Sequence, residues 1–263
     1  EGASYDVRSR FTIGADGIRS VVADQVGAEL EQRTFARGAV LFRYHADLCV
    51  AGYEWAYGEG VAAGMIPTND GLTCVFVSTT PERMREARRA GTEEAFESLF
   101  AIGAPDHLPR LHISTPASRM HGWAGVAGFV RRSWGPGWAL VGDAGYFKDP
   151  ITAHGMTDAL RDAELLADAV VEAASGHRPE DETLADYQRQ RDTLSRRMLE
   201  VTDQIAAYDW DMVRIRQLLR EVSSAMAELP SMIPRPTKEP SKSTTSTELP
   251  WSPRDFLASM ASL

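Results

Sequence analysis

Residues 138–170 restrict what this chain can fold into more than any other stretch. Trp138-Ala139-Leu140-Val141 is a short apolar run that predicts a buried strand. Gly142-Asp143-Ala144-Gly145 then breaks it and leaves a carboxylate at its carboxyl end. Pro150 sets the loop that follows, and Gly155 leads into a long helical pattern with Leu160, Ala163, Leu166 and Val170 on one face. Strand, acid-bearing glycine turn, loop and helix start in that order belong to an α/β architecture. Open sheets of that kind bind ligands at the carboxyl ends of their strands. A helix N-terminus adds free N–H groups and the positive end of the peptide dipole.

The same arrangement occurs near the start of the chain. Residues 5–13 alternate loosely and run into Gly14-Ala15-Asp16-Gly17-Ile18-Arg19-Ser20-Val21-Val22, again an acid between a strand and a helix. Residues 30–130 differ in character. Ala39–Ala46, 52–57, 61–66 and 72–79 read as short strands, and Asn69-Asp70-Gly71 between two of them is a hairpin signal. Residues 81–90 and 92–102 read as helices on that sheet, and 111–118 and 128–133 as returning strands. From 176 onward helices are expected over 181–208 and 211–229. Leu184, Tyr187, Leu194, Met198 and Val201 form the apolar stripe, and Arg189, Arg191, Arg196 and Arg197 a solvated face. Residues 230–250 read as a flexible linker and 251–263 as a short amphipathic tail.

Gly142-Asp143-Ala144, Pro150, Gly155 and Asp162-Ala163 together resemble the second flavin motif of FAD-dependent monooxygenases of the para-hydroxybenzoate hydroxylase class. Gly14–Val22 is similar to the middle motif of that class. Tyr146, Ala153 and Thr157 stand where the class frequently has His, Gly and Asn, and Ala23 where it usually has Arg.

The resemblance implies an α/β fold. Part of a FAD-binding Rossmann-like domain (1–29 and 131–175) would carry an inserted, mainly β substrate domain (30–130). Carboxy-terminal helices (176–229) and a tail (230–263) would follow. It implies FAD, with NADPH or NADH as co-substrate. Asp143 would bond the ribityl chain, and Pro150 would place the loop over the ring. The N–H groups of Gly155 and Met156 would face the pyrimidine end, and Asp16 and Gly17, with Gly142, would lie by the cofactor. His154 is a candidate functional neighbour by position. No obligatory protein nucleophile is expected, because the cofactor carries the hard step. The Gly-x-Gly-x-x-Gly unit that opens such proteins is not in this sequence. The chain is therefore expected to be the carboxy-terminal part of a larger flavoprotein, with a naturally short form as the rival.

Composition narrows the partners. A formal charge of −9 over 263 residues argues against nucleic acid or an acidic membrane surface. Cys49 and Cys74 lack metal or redox spacing, which fits a reduced, cytoplasmic setting, and no apolar run spans a bilayer. His45, His107, His112, His121 and His154 show no metal-ligand spacing. The oligomeric state is open. Tyr44, His45, Tyr53, Trp55, Tyr57 and Met65 are candidates to line a pocket for an aromatic or polycyclic compound. The expected function is insertion of one oxygen atom into a small organic substrate. The alternatives are a reductase or dehydrogenase on the same fold, or a binding remnant without flavin. A halogenase is disfavoured, since Met65-Ile66-Pro67 lacks the tryptophans of Trp-x-Trp-x-Ile-Pro. No nucleophile elbow supports a hydrolase.

Overall fold

The computed structural model describes residues 6–232. The fold is mixed α/β and divides into two compact units, Glu1–Phe35 with Ala127–Leu199, and Ala36–Val126 with Glu200–Leu263.

In the first unit the two acid-bearing segments meet. Strand Thr12–Gly14 pairs in parallel with Trp138–Leu140, Gly14 opposite Leu140, and Trp134–Gly135 adds an antiparallel edge. The ladder continues one step further, Val141 N donating to Gly14 O at 2.9 Å. Parallel pairing in this register sends both chains out at the same sheet end, so the turns at Asp16 and Asp143 emerge side by side. A second small sheet orders Tyr146–Phe147, Phe129–Arg131 and Leu30–Arg33.

Helix Gly155–Ser175 ends at Gly176, whose φ of 74° is the left-handed cap that glycine supplies without steric cost. Its buried face is not the one the apolar spacing predicts. Asp158, Arg161, Asp162, Leu166, Ala169 and Ala173 are buried, whereas Leu160 is 74% exposed and Ala163 is also exposed. Leu166 packs with Ala139, Leu184 and Tyr187, and Val170 lies against that cluster. Charged residues that neutralise one another occupy the inner stripe of the first two turns, which displaces the apolar pattern outward.

Helix Glu180–Ala206 buries Leu184, Tyr187, Leu194, Met198 and Val201 as expected. The solvated reading of the arginine run fails at Arg191. This side chain is 1% exposed and donates to Ser133 Oγ, to the Arg131 carbonyl at 3.2 Å and to Asp192 at 2.5 Å.

The second unit is built on one antiparallel sheet. Its order is Glu54–Gly58, Val61–Pro67, Thr73–Thr79, Ala39–Ala46, Thr115–Pro116, with His121–Trp123 also pairing Ala39–Ala46. The turn at Asn69–Gly71 places Asp70 at φ 58° and Gly71 at φ 70°, conformations that Asp and Gly adopt more readily than most residues. One sheet face presents Leu41, Val61, Ala63, Met65, Val75 and Val77 to Phe96, Leu99 and Phe100 of helix Thr92–Gly103. Each fully buried large apolar side chain contributes about 1.5–3 kcal/mol. Helix Pro81–Ala87 starts on Thr80, whose hydroxyl accepts from Arg83 N at 3.2 Å.

Residues 111–118 are not one returning strand. Helix Leu108–Ile113 comes first, with Pro109 in its opening turn, and only Thr115–Pro116 pairs. Helix Met212–Met232 runs three residues into the segment expected to be a linker; the rest of that linker and the 251–263 tail lie outside the described residues. Among the described residues no helix is long and apolar enough to cross a membrane.

Candidate flavin site

Two turns and one helix start make the site in the first unit. Strand Trp138–Leu140 leads through Val141 into Gly142, which takes φ 58° and packs so closely that a Cβ there would lie 3.1 Å from Ala159 Cβ. A side chain at 142 would therefore be strained in backbone and crowded against the helix. Asp143 follows, half-buried. No hydrogen bond to its carboxylate is found among the described residues. Burial raises the Asp143 carboxyl above its ordinary value; the charge of Lys148 opposes the rise and that of Asp158 adds to it.

Asp16 behaves differently. Its Oδ1 accepts from Ser20 Oγ at 2.5 Å, and its Oδ2 from Val21 N at 2.7 Å and Val22 N at 3.2 Å. Ser20 in turn accepts from Ala23 N at 2.9 Å. Asp16 and Ser20 thus cap helix Val21–Gln25, and the Ser20 hydrogen bond leads the causes that hold the Asp16 carboxyl below its ordinary value. Gly17, at φ 79°, carries the chain from the acid to the helix.

The connecting loop is held from within. Asp149 is 4% exposed and accepts from Ile151 N at 3.0 Å, with Pro150 between them on the surface. Ala153 adopts φ 53°. The resembling class has glycine at this position, and the left-handed backbone is the physical reason. His154 is the residue before helix Gly155–Ser175 and provides no side-chain cap. Gly155, Met156 and Thr157 are exposed, Met156 by 83%, and a Cβ at Gly155 would meet nothing within 4 Å. The first-turn N–H groups of this helix are thus open on one side.

Behind that turn lies a buried charged cluster that the sequence reading missed. Lys148 Nζ contacts Asp158 Oδ2, and Arg161 Nη1 donates to Asp158 Oδ1 at 3.1 Å. Arg161 also binds Asp162 at 2.6 Å and Ser195 Oγ at 2.8 Å. All are at most 7% exposed. The available signal was positional: Asp158, Arg161 and Asp162 fall on the helical stripe of Leu166. His154 is 7% exposed and its Nδ1 makes no hydrogen bond among the described residues; Asp158 Oδ1 is 4.0 Å away. Burial lowers the His154 imidazole below its ordinary value. Asp158 works against this, and Lys148 and Arg161 reinforce it.

The family model described as FAD binding domain matches residues 1–202. The chain belongs to the FAD binding domain family. The residues present fit that cofactor: a half-buried carboxylate lacking a donor from its own chain suits a hydroxyl-bearing ligand, and an open helix start suits an electron-rich one.

Relatives of this FAD binding domain include the ubiquinone hydroxylase UbiM of Neisseria meningitidis, 26% identical over 169 residues, covering 63% of this chain and 35% of that protein. Another is digeranylgeranylglycerophospholipid reductase 2 of Methanococcoides burtonii, 26% identical over 202 residues, covering 71% and 45%. The chain spans less than half the length of either. Among solved structures, a triple mutant of the flavin-dependent brominase Bmp2 superposes with a TM-score of 0.72 at 15% identity, over 87% of this chain and 59% of that one. At that identity the likeness is one of fold.

The second unit carries an aromatic sheet face. Trp55, Gly64, Phe76, Phe42 and His121 lie in register across five strands. Trp55 meets Phe76 edge-on at 5.1 Å, and Phe42 stacks on His121 at 5.2 Å. Tyr44 and Tyr57 share this face; Tyr57 packs on Trp210 at 5.8 Å. His45 and Met65 do not, since alternation turns them to the helix-covered side. Met65 is wholly buried there. His45 is 1% exposed, accepts at Nε2 from Arg43 Nε at 3.0 Å and therefore donates from Nδ1 to Ser114 Oγ at 2.8 Å. His107 pairs with Glu54 and His112 with Glu97.

Proposed function

We propose that this protein is a FAD-dependent monooxygenase resembling the para-hydroxybenzoate hydroxylase class, inserting one oxygen atom into a small aromatic or polycyclic substrate with NADH or NADPH and O2. The observation that carries the reading is Asp143, half-buried beside an open helix start with no hydrogen bond from the described residues. Its carboxylate would accept from a ribityl hydroxyl. The N–H groups of Gly155 and Met156 would face the part of the ring that gains negative charge on reduction. Pro150 would set the loop, with Asp16 and Gly17 at the neighbouring turn. When bound, FAD supplies the hydride acceptance and oxygen activation that no side chain here offers. The chain's own part is to hold, orient and exclude water. His154, which burial holds toward its neutral form and which has no hydrogen bond at Nδ1 among the described residues, is the imidazole of the cluster able to hold or move a proton.

The half-buried aromatic row supports a flat, ring-bearing substrate, because such rings stack and meet edge-on favourably. The likeness to an archaeal lipid reductase favours a second reading, a flavin-dependent reductase on the same fold. The purified protein should show a flavin absorbance spectrum. Monooxygenase action then predicts substrate-dependent NAD(P)H oxidation matched by oxygen uptake and a hydroxylated product. A reduced product without oxygen uptake would establish the reductase reading. A protein that carries the expected Gly-x-Gly-x-x-Gly unit, is colourless and takes up no FAD would end both.

A further inference from the structure

Asp158 sits in the first turn of helix Gly155–Ser175, the turn whose N–H groups are open. A carboxylate in that place ordinarily offsets the positive end of the helix dipole and repels an approaching anion. Here both of its oxygens are taken by cations, Oδ2 by Lys148 and Oδ1 by Arg161. Arg161 has further partners in Asp162 and Ser195, so its charge is accounted for without Asp158. Lys148 is held differently. It is 5% exposed, its ammonium lies 5.3 Å over the Tyr146 ring, and its one ion pair among the described residues is with Asp158. Two cations, Lys148 and Arg161, thus balance two carboxylates, Asp158 and Asp162, with Asp158 shared between the cations.

We propose that Lys148 is a positioning residue that cancels the charge of Asp158 in the first helical turn, so that this turn presents a positive field to the electron-rich ring of a bound flavin. The inference rests on the flavin reading above and deepens it. The helix start carries no side-chain cap of its own, and on its outer side Gly155, Met156 and Thr157 are exposed. Without Lys148, a net negative charge would stand one turn inside the N-terminus, in surroundings dry enough for that charge to reach far. The groups that face Lys148 are Asp158, Tyr146 and, through its field, Asp143 and His154.

The charge account separates this role from that of a simple loop clamp. Lys148→Met should weaken the reduced flavin relative to the oxidised one. Asp158→Asn should do the opposite. Lys148→Met combined with Asp158→Asn conserves net charge and should return near wild type although the contact is gone. A clamp predicts that both single variants shift the same way and that the double variant is no better than either.

The test is the reduction potential of bound FAD in the full chain, by spectroscopic titration against a reference dye at matched flavin occupancy, with FAD affinity measured beside it. The expected drop for Lys148→Met is at least tenfold in relative affinity, about 30 mV for a two-electron couple. Should that variant fail to fold, the double variant decides, because it leaves neither of the two charges unpaired: a potential within about 10 mV of wild type, roughly a twofold change, is expected. Same-direction shifts in the two single variants, or a tenfold loss in the double variant, would overturn the inference while leaving the flavin reading intact. A wild-type protein that carries the expected Gly-x-Gly-x-x-Gly unit and holds no FAD would overturn both.

Discussion

Asp143 keeps a half-buried carboxylate with no hydrogen bond from the described residues, which leaves it able to accept from a ligand hydroxyl. Asp143→Ala should therefore spare the fold and lose ligand. A charge-assisted hydrogen bond is worth about 1.5–3 kcal/mol, so FAD should bind roughly 10- to 150-fold more weakly. Titration by flavin fluorescence, alongside a thermal melt, measures both; unchanged affinity would remove Asp143 from the site. Ala153 illustrates the converse, a residue that the backbone does not favour. At φ 53° it pays about 1–2 kcal/mol for the left-handed conformation. Ala153→Gly relieves that strain but frees the unfolded chain by about 0.4–1 kcal/mol, so a net gain of about 0.5–1 kcal/mol is expected in urea unfolding. A destabilised variant would show that the Ala153 methyl has a packing role that outweighs the strain.

At the scale of elements, the strands were legible because alternation survives wherever a sheet has one covered face. Ala39–Ala46 was read to the residue, and the turn at Asp70-Gly71 announced itself by residue type. Helix Gly155–Ser175 was legible in its start and length, not in its face. Apolar periodicity assumes that charge points outward, and here Asp158, Arg161 and Asp162 point inward because they satisfy one another. Arg191 escaped for the same reason. His45 shows what such inward polar groups do to pH dependence. Burial, with the charge of Arg43 second, lowers its imidazole from 6.5 to about 4. The folded protein thus keeps His45 neutral while the unfolded chain protonates near pH 6.5. The stability it contributes is present above about pH 6.5 and is lost as pH falls toward about 4. Discounted for solvent screening, the loss is of the order of 1–2 kcal/mol. Urea unfolding at pH 7 and pH 5 should reveal it in wild type. A His45→Gln variant should lack that component of the decline; an identical decline in both would assign the pH dependence elsewhere.

At the scale of the whole molecule, the pairing of Thr12 with Trp138 joins positions 126 apart, and Leu30 with Arg131 positions 101 apart. Between them lie nearly all the strands of the second unit, whose sheet contacts are local by comparison. Synthesis at about 5–20 residues per second leaves the first strand without its parallel neighbour for roughly 6–25 s, long enough for a hairpin-rich sheet to form many times over. On the ribosome the later-made segment should therefore become protease-resistant first. Nascent chains stalled once residue 126 has left the exit tunnel should be cut readily within 6–35 and slowly within 39–123; resistance that appears first in 6–35 would contradict this order. Throughout that interval Ile13, still 47% exposed in the folded protein, is carried on a strand that lacks its Trp138–Leu140 neighbour. The turn that brings Asp16 beside Asp143 thus waits on the emergence of Trp138–Leu140, and a chaperone that shields strand edges would act on it before any cofactor does.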